Sequence, residues 1–356
     1  MAYTTINKPT DYFNTKLYTG NSGNGNNPVA VGFQPDFTWF KSRTQGYNNY
    51  LIDAIRGDEK YISSDNSNAE ASWGANDVTW TSTGFTLNTT GGSGINEGVQ
   101  GTDNMCSWNW KANGAGSANT DGSINSTVSA NTTSGFSIST WNEVSSSSAQ
   151  TIGHGLGVAP DMMIMKRRTD SGSSWLVYHK SIGNTGAVFL DATASTSTSA
   201  SYWNNTSPTP SVFTLSAGWN GSASNTWVSY NFAEKQGYSK FGSYVGNGNA
   251  DGTFVYTGFK SSFILLKKSS GAGTDWYIFN NKSPGYNDNN KSLRANTSAT
   301  EAVASGYSMD ILSNGFKTRT SNYAVNGGSQ SYIYMAFAEN PFVATSGTNA
   351  IPVTAR

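Results

Sequence analysis

The strongest constraint on this chain is that it repeats itself. Three segments align without a gap: Gly32-Phe-Gln-Pro-Asp-Phe-Thr-Trp-Phe-Lys41, Gly157-Val-Ala-Pro-Asp-Met-Met-Ile-Met-Lys166 and Gly258-Phe-Lys-Ser-Ser-Phe-Ile-Leu-Leu-Lys267. Each opens on a turn-like stretch, passes through an apolar run and ends on Lys, which reads as a turn feeding a buried strand. A repeat at this spacing means that one structural unit recurs along the chain.

Further blocks follow in the same order. The second is Tyr50-Leu-Ile-Asp53, Trp175-Leu-Val-Tyr178 and Trp276-Tyr-Ile-Phe279, trailed by Arg56, Lys180 and Lys282. The third is Gly84-Phe-Thr-Leu87, Val212-Phe-Thr-Leu215 and Gly315-Phe-Lys-Thr318. In the fourth, Cys106, Trp108 and Trp110 alternate with Ser107 and Asn109, and Val228, Tyr230 and Phe232 alternate with Ser229 and Asn231. Ile333, Met335 and Phe337 repeat the apolar set. Period two predicts strands with one dry and one wet face. A leading strand precedes each unit, in Tyr12–Tyr18, Gly135–Trp141 and Tyr238–Tyr244.

These blocks predict an all-β protein of three tandem β-sandwich or jelly-roll-like repeats, with no extended helical pattern. Periodicity leaves the choice of topology open. The first repeat with its N-terminal segment takes residues 1–112, the second 134–235 and the third 236–341, with a tail over 342–356. Residues 113–133, rich in Gly, Ser, Thr and Asn, read as a linker, so the last two repeats should be tied more rigidly than the first two.

Charge narrows the partners. Lys+Arg and Asp+Glu are both 22 and only 12% of residues are charged, which gives no field to attract a polyanion, so nucleic acid is not expected. The single Cys106 forbids an internal disulfide framework. The N-terminus lacks the basic start and apolar stretch of a signal peptide, and no apolar run is long enough for a membrane span.

No catalytic apparatus is recognisable, and no cofactor or metal is implied. His154 and His179, the only histidines, fit neither a metal spacing nor a Ser-His-Asp order. His154 reads as a turn residue and Cys106 as a small buried hydrophobe. Asp36 and Asp161 recur at matched positions where the third unit has Ser262, which suits turn-stabilising acceptors better than a glycosidase pair. Gly246–Gly252 reads as a hairpin loop. Asp65–Glu70 reads as a solvated turn, with calcium ligation as the alternative. Outside the repeated blocks, Trp203 beside Asn204 and Asn205, Trp219 beside Asn220, and Tyr286 beside Asn287 and Asn289 pair an aromatic ring with amides. Satellite core packing is the first reading of these rings, with glycan contact, which that combination would suit, as the alternative.

The motifs Gly32–Arg43, Leu51-Ile-Asp-Ala-Ile-Arg-Gly57, Ser107-Trp-Asn-Trp-Lys111, Gly153-His-Gly-Leu-Gly-Val-Ala-Pro-Asp161, Phe232–Tyr244 and Tyr334-Met-Ala-Phe-Ala-Glu-Asn-Pro-Phe342 resemble a family of repeat-containing, tail-fibre-like structural proteins of marine bacteriophages. The resemblance covers almost the whole chain. It implies a virion component assembled in the host cytoplasm and an exposed tail-fibre or appendage role in host attachment. A capsid decoration or other head or tail protein is the alternative. The partners implied are other virion proteins and a host-surface glycan, with a homotrimer by analogy to phage appendages.

Overall fold

The computed structural model describes residues 3–23, 25–88, 94–97, 103–220, 224–283 and 286–343. Within them the chain is all-β, built of antiparallel ladders with one four-residue α-helix, Ala200–Trp203, and two 3-10 turns, Pro9–Asp11 and Ser305–Tyr307. No described helix is long and apolar enough to cross a membrane.

Three large sheets share one strand order. In the first, the leading strand Phe13–Thr19 pairs with Asn104–Trp110, followed by Phe37–Ser42, Tyr50–Asp53, Gly57–Ser63 and Ala71–Ser72. The third runs Ser239–Val245, Ser331–Pro341, Phe259–Lys268, Trp276–Asn280, Lys291–Arg294 and Ala302–Val303. The second runs Phe136–Asn142, Thr226–Phe232, Met162–Arg167, Leu176–His179, Gly186–Phe189 and Ser197–Thr198, with two strands added outside its leading edge. Those two, Ser117–Asn119 and Ser126–Asn131, come from the stretch expected to be a linker. Its Thr127, Val128 and Ala130 supply a ladder against Phe136–Trp141, and the Gly and Asn residues make the turns between.

Ladder register corrects one alignment. Asp53 pairs with Phe37, His179 with Met162 and Asn280 with Phe263, so these three occupy one position and Asn49 matches Trp175 and Trp276. The first unit's second block therefore starts one residue earlier than aromatic matching suggested, and a one-residue slip exchanges the faces of a strand.

The inner faces of all three sheets build a single core. Every apolar residue of the fourth block lies in it: Cys106, Trp108, Trp110, Val228, Tyr230, Phe232, Ile333, Met335 and Phe337. Trp110, Phe232 and Phe337 hold the same position in their sheets and meet one another, with ring centroids 5.6–6.2 Å apart. The outer faces are covered separately. Asn27–Ala30, Gly84–Leu87 and Val78–Thr81 cover the first sheet, Gln150–Gly153 with Val212–Leu215 the second, and Phe254–Tyr256, Gly315–Thr318 and Met309–Leu312 the third. Each cover encloses its own apolar cluster. The alternating polar residues are consequently not wet. Ser107, Asn109, Ser229 and Asn231 are all fully buried. Asn109 donates to Asn14 O and accepts from Thr38 Oγ1, and Asn231 donates to Ser137 and Ser139.

The three sheets close on one another in a ring rather than hanging in series. Lys41 Nζ of the first donates to Thr297 O of the third, Lys166 of the second to Ser67 O of the first, and Lys267 of the third to Ala192 O and Thr193 O of the second. The same circuit is followed by side-chain N–H donors, from Asn49 to Thr297 O, Trp175 to Ser63 O and Trp276 to Phe189 O. Backbone N–H groups of Glu301, Glu70 and Thr196 complete it on the carbonyls of Arg43, Arg168 and Ser269. The first and third units thus meet directly, and each pair of units is joined by the same set of contacts.

Two of the joins add an ion pair. Arg43 lies 2.7 Å from Glu301 and Arg168 2.9 Å from Glu70, while Ser269 and Thr196 stand at the third. The Arg43–Glu301 pair is bidentate, with side chains 14% and 8% exposed. Arg43→Gln should therefore lower stability by about 1.5–3 kcal/mol, the range for hydrogen bonds to a charged partner left half-buried. Urea denaturation measures it, and a loss below about 0.5 kcal/mol, the level of an exposed pair, would show that the join does not depend on this charge.

Candidate functional site

The titratable groups that the sequence singles out make their contacts within the fold. Cys106 is buried in the central core, where burial pushes its thiol well above the ordinary range. His154 Nε2 faces Thr209 O at 3.0 Å and Nδ1 accepts from Leu156 N–H, with burial lowering its pKa. His179 accepts from Ser181 N–H through Nδ1 and meets Tyr334 O through Nε2 at 3.2 Å. Asp36 accepts from the N–H groups of Ala112 and Gly114, and Asp161 from that of Glu234, so both carboxylates pin the turn that leaves a closing strand. Asp65 accepts from Asn49 N–H, and Glu70 is shared by Arg56 and Arg168, so the Asp65–Glu70 stretch belongs to a join rather than to a solvated turn. In the Gly246–Gly252 loop, Asn247 and Asn249 cap local N–H groups, and Asn326 donates to Asn247 Oδ1 and Asn249 O. No group of three or more His, Cys, Asp or Glu placed to hold a metal occurs among the described residues.

The three aromatic candidates separate clearly. Trp203 is 1% exposed. Its indole N–H donates to Gly186 O and its ring packs edge-on to Tyr178, so it offers no face to a ligand. Serine 199 caps the short helix that carries it, accepting from Ser201 N–H, and the chain leaves through Asn204 in a left-handed conformation. Tyr286 is 75% exposed, but its neighbours Asn287 and Asn289 turn inward to Ile311 and Asn280. Trp219 is half-buried and lines a groove of about 380 Å³ with Phe189, Arg167, Gly172, Ser173, Ser174 and Gly218.

Trp219 occupies a matched position that the repeat blocks did not reveal. Ile95 and Val325 are its counterparts, each giving its carbonyl to the hydroxyl of a tyrosine on the leading strand, Tyr18 or Tyr244. Each of the three is followed by a buried asparagine, Asn96, Asn220 or Asn326. Ile95 and Val325 are fully covered, so the second unit alone opens this position to solvent with an indole. Asn220 is not available beside it. Its Oδ1 accepts from Trp141 Nε1 and its amide donates to Gln150. The polar rim comes instead from Arg167, a residue that alignment of Lys41, Lys166 and Lys267 passes over. Its Nε donates to Glu143, Nη1 to Asp170 and Ser173, and Nη2 to Trp219 O. The guanidinium also lies 5.3 Å from the Trp227 ring centroid, which fixes its plane. Ser173 donates to Asp170, and that hydroxyl with Arg167 holds the Asp170 carboxyl below its ordinary range.

Two other grooves are less suited to an apolar ligand face. One is lined by Ala250, Asp251, Asn287, Asp288, Asp310 and Arg319, and its acids are engaged by Lys317, Ser308 and Arg319. The other lies over Asn125, Thr127, Thr140 and Arg168, where the only ring, Trp141, is 3% exposed.

The model of one protein family, described as a domain of unknown function (DUF7483), matches residues 8–341. No curated protein and no solved structure matches the chain.

Proposed function

The chain belongs to the DUF7483 family over nearly its whole length, and we propose that it is a bacteriophage virion structural protein, an exposed tail-fibre or appendage component that contributes to host-surface attachment. The observation that supports binding over catalysis is the fate of the polar side chains: the buried ones serve turns and joins, and the aromatic groove at Trp219 faces solvent. The motif resemblance to tail-fibre-like phage proteins supplies the setting.

A second reading, a capsid decoration or other head or tail protein that binds only virion partners, draws on a different observation. Every described strand belongs to one of the three large sheets or their covers, leaving no fibre shaft among the described residues. Copy number in purified virions, with antibody labelling of intact particles, separates the two. A few to tens of copies on the tail is the expected result. Hundreds of copies on the head would overturn attachment in favour of decoration, and absence from virions would overturn both. The homotrimer that the appendage analogy brings would carry three of these rings, so light scattering on the 37.9 kDa chain is the companion measurement.

A further inference from the structure

We propose that the groove of Trp219 and Phe189 binds a single neutral saccharide unit. This rests on the attachment reading for its biological sense, though its physical test does not.

Trp219 and Phe189 are both half-buried, with rings inclined at 25° and centroids 6.3 Å apart, too close to clamp a ring between them. The groove they line can take the C–H face of a pyranose against aromatic surface. At the equivalent positions Ile95 and Val325 are covered completely, so nothing in the fold requires an open indole here.

The rim supplies the directional half of recognition. Ser173, Ser174 and Arg167 line the groove, and Asp170, 39% exposed, stands against Arg167 and Ser173. The Asp170 carboxylate and the Ser173 hydroxyl are held in place by Arg167, so acceptors for sugar hydroxyls are already oriented and little ordering cost remains on binding. A volume of about 380 Å³ admits one ring and leaves the rest of a glycan in solvent. Charge selects the class. Arg167 is answered by two carboxylates, Glu143 at 3.0 Å and Asp170 at 3.0 Å. No uncompensated cation is left for a uronate or sialate, and an anionic sugar would meet repulsion from Asp170.

The test is titration of the purified chain with methyl β-glucoside, methyl β-galactoside and chitobiose, followed by tryptophan fluorescence and saturation-transfer NMR, with sialyllactose as the charged comparison. Saturable binding of at least one neutral probe is expected, with sialyllactose bound at least tenfold more weakly. Because Trp219→Ala would also strip packing from Tyr202 and Trp227, the informative variant is Trp219→Val, which installs the residue found at position 325. It should weaken the bound probe at least tenfold while keeping the thermal transition, and Asp170→Asn should weaken it several-fold. No binding of any neutral probe, or equal binding by Trp219→Val, would overturn the proposal. A chain that labels on virions yet binds no sugar would remove the groove and leave attachment standing. A chain that binds sugar but is absent from virions would do the reverse.

Discussion

Replacing Phe232 with alanine should cost about 3–5 kcal/mol and should destabilise all three units together in one transition. Phe232 stacks on Phe136 at 4.9 Å and meets Trp110, Phe241 and Phe337 at 6.0–6.2 Å, so its neighbours come from every sheet. The hole left by truncation opens where no single unit can collapse to fill it, which places the cost at the upper end for a buried aromatic. Domain stabilities of about 5–15 kcal/mol make this a third or more of the total. Trp110→Phe is the internal control. Its indole N–H has no hydrogen-bond partner and Phe already stands at the two matched positions, so the change should cost only about 1–2 kcal/mol for the smaller cavity it leaves. Calorimetry of the intact chain decides the matter. A Phe232→Ala profile in which one unit melts early while the other two keep the wild-type transition would mean that the units fold separately and the shared core does not couple them.

That coupling was only half visible beforehand. The alternation of Cys106, Trp108 and Trp110 and its two counterparts revealed the strands and their dry faces, because period two is written into each strand locally. It did not say that the three dry faces meet one another, since a face needs burial and any apolar partner satisfies it. Tandem order suggested three separate sandwiches and a loose joint at 113–133. The joint instead became strand, because Thr127, Val128 and Ala130 had an open sheet edge beside them. The recurring Lys41, Lys166 and Lys267 were read as strand ends. Each donates to one carbonyl six or seven residues on, Tyr47, Ser173 or Thr274, and to others 74–256 residues away, and only the latter, beyond any window of local pattern, join the units. At the candidate site, Trp219 was legible as an aromatic outside the repeat blocks, and Trp203 looked the same. What separates them is a hydrogen bond from Trp203 to Gly186 O and the covering of one ring but not the other. Arg167 was missed because only its neighbour Lys166 repeats.

Acidification should weaken the fold through His179, and the matched positions provide the variant that proves it. Asp53, His179 and Asn280 cap the same turn: Asp53 Oδ1 accepts from Ile55 and Arg56 N–H, His179 Nδ1 from Ser181 N–H, and Asn280 Oδ1 from Lys282 and Ser283 N–H. An imidazole can do this only with Nδ1 unprotonated, while Nε2–H donates to Tyr334 O of the third unit. Burial, and to a lesser degree the Lys180 charge, depress its pKa from 6.5 to about 4, against a smaller opposing effect of the Tyr334 carbonyl. The unfolded chain therefore binds the extra proton between pH 6.5 and 4. Stability conferred by the neutral ring is complete above pH 6.5 and is lost as pH falls through that window, about 3 kcal/mol in all. The buried lysines act elsewhere. Burial lowers Lys41 and Lys166 to about 8 and Lys267 to about 7, so their effect is a rise in stability with pH from there to 10.5. His179→Asn substitutes the cap used at position 280, losing the bond to Tyr334 but carrying no proton to gain. Its stability at pH 7 should be lower than that of the wild type, and its decline between pH 6.5 and 4 shallower by about 3 kcal/mol. Urea midpoints measured across that range for both proteins give the difference directly, and parallel curves would show that His179 takes up its proton as readily in the folded chain as in the unfolded one, so that another group drives the acid limb.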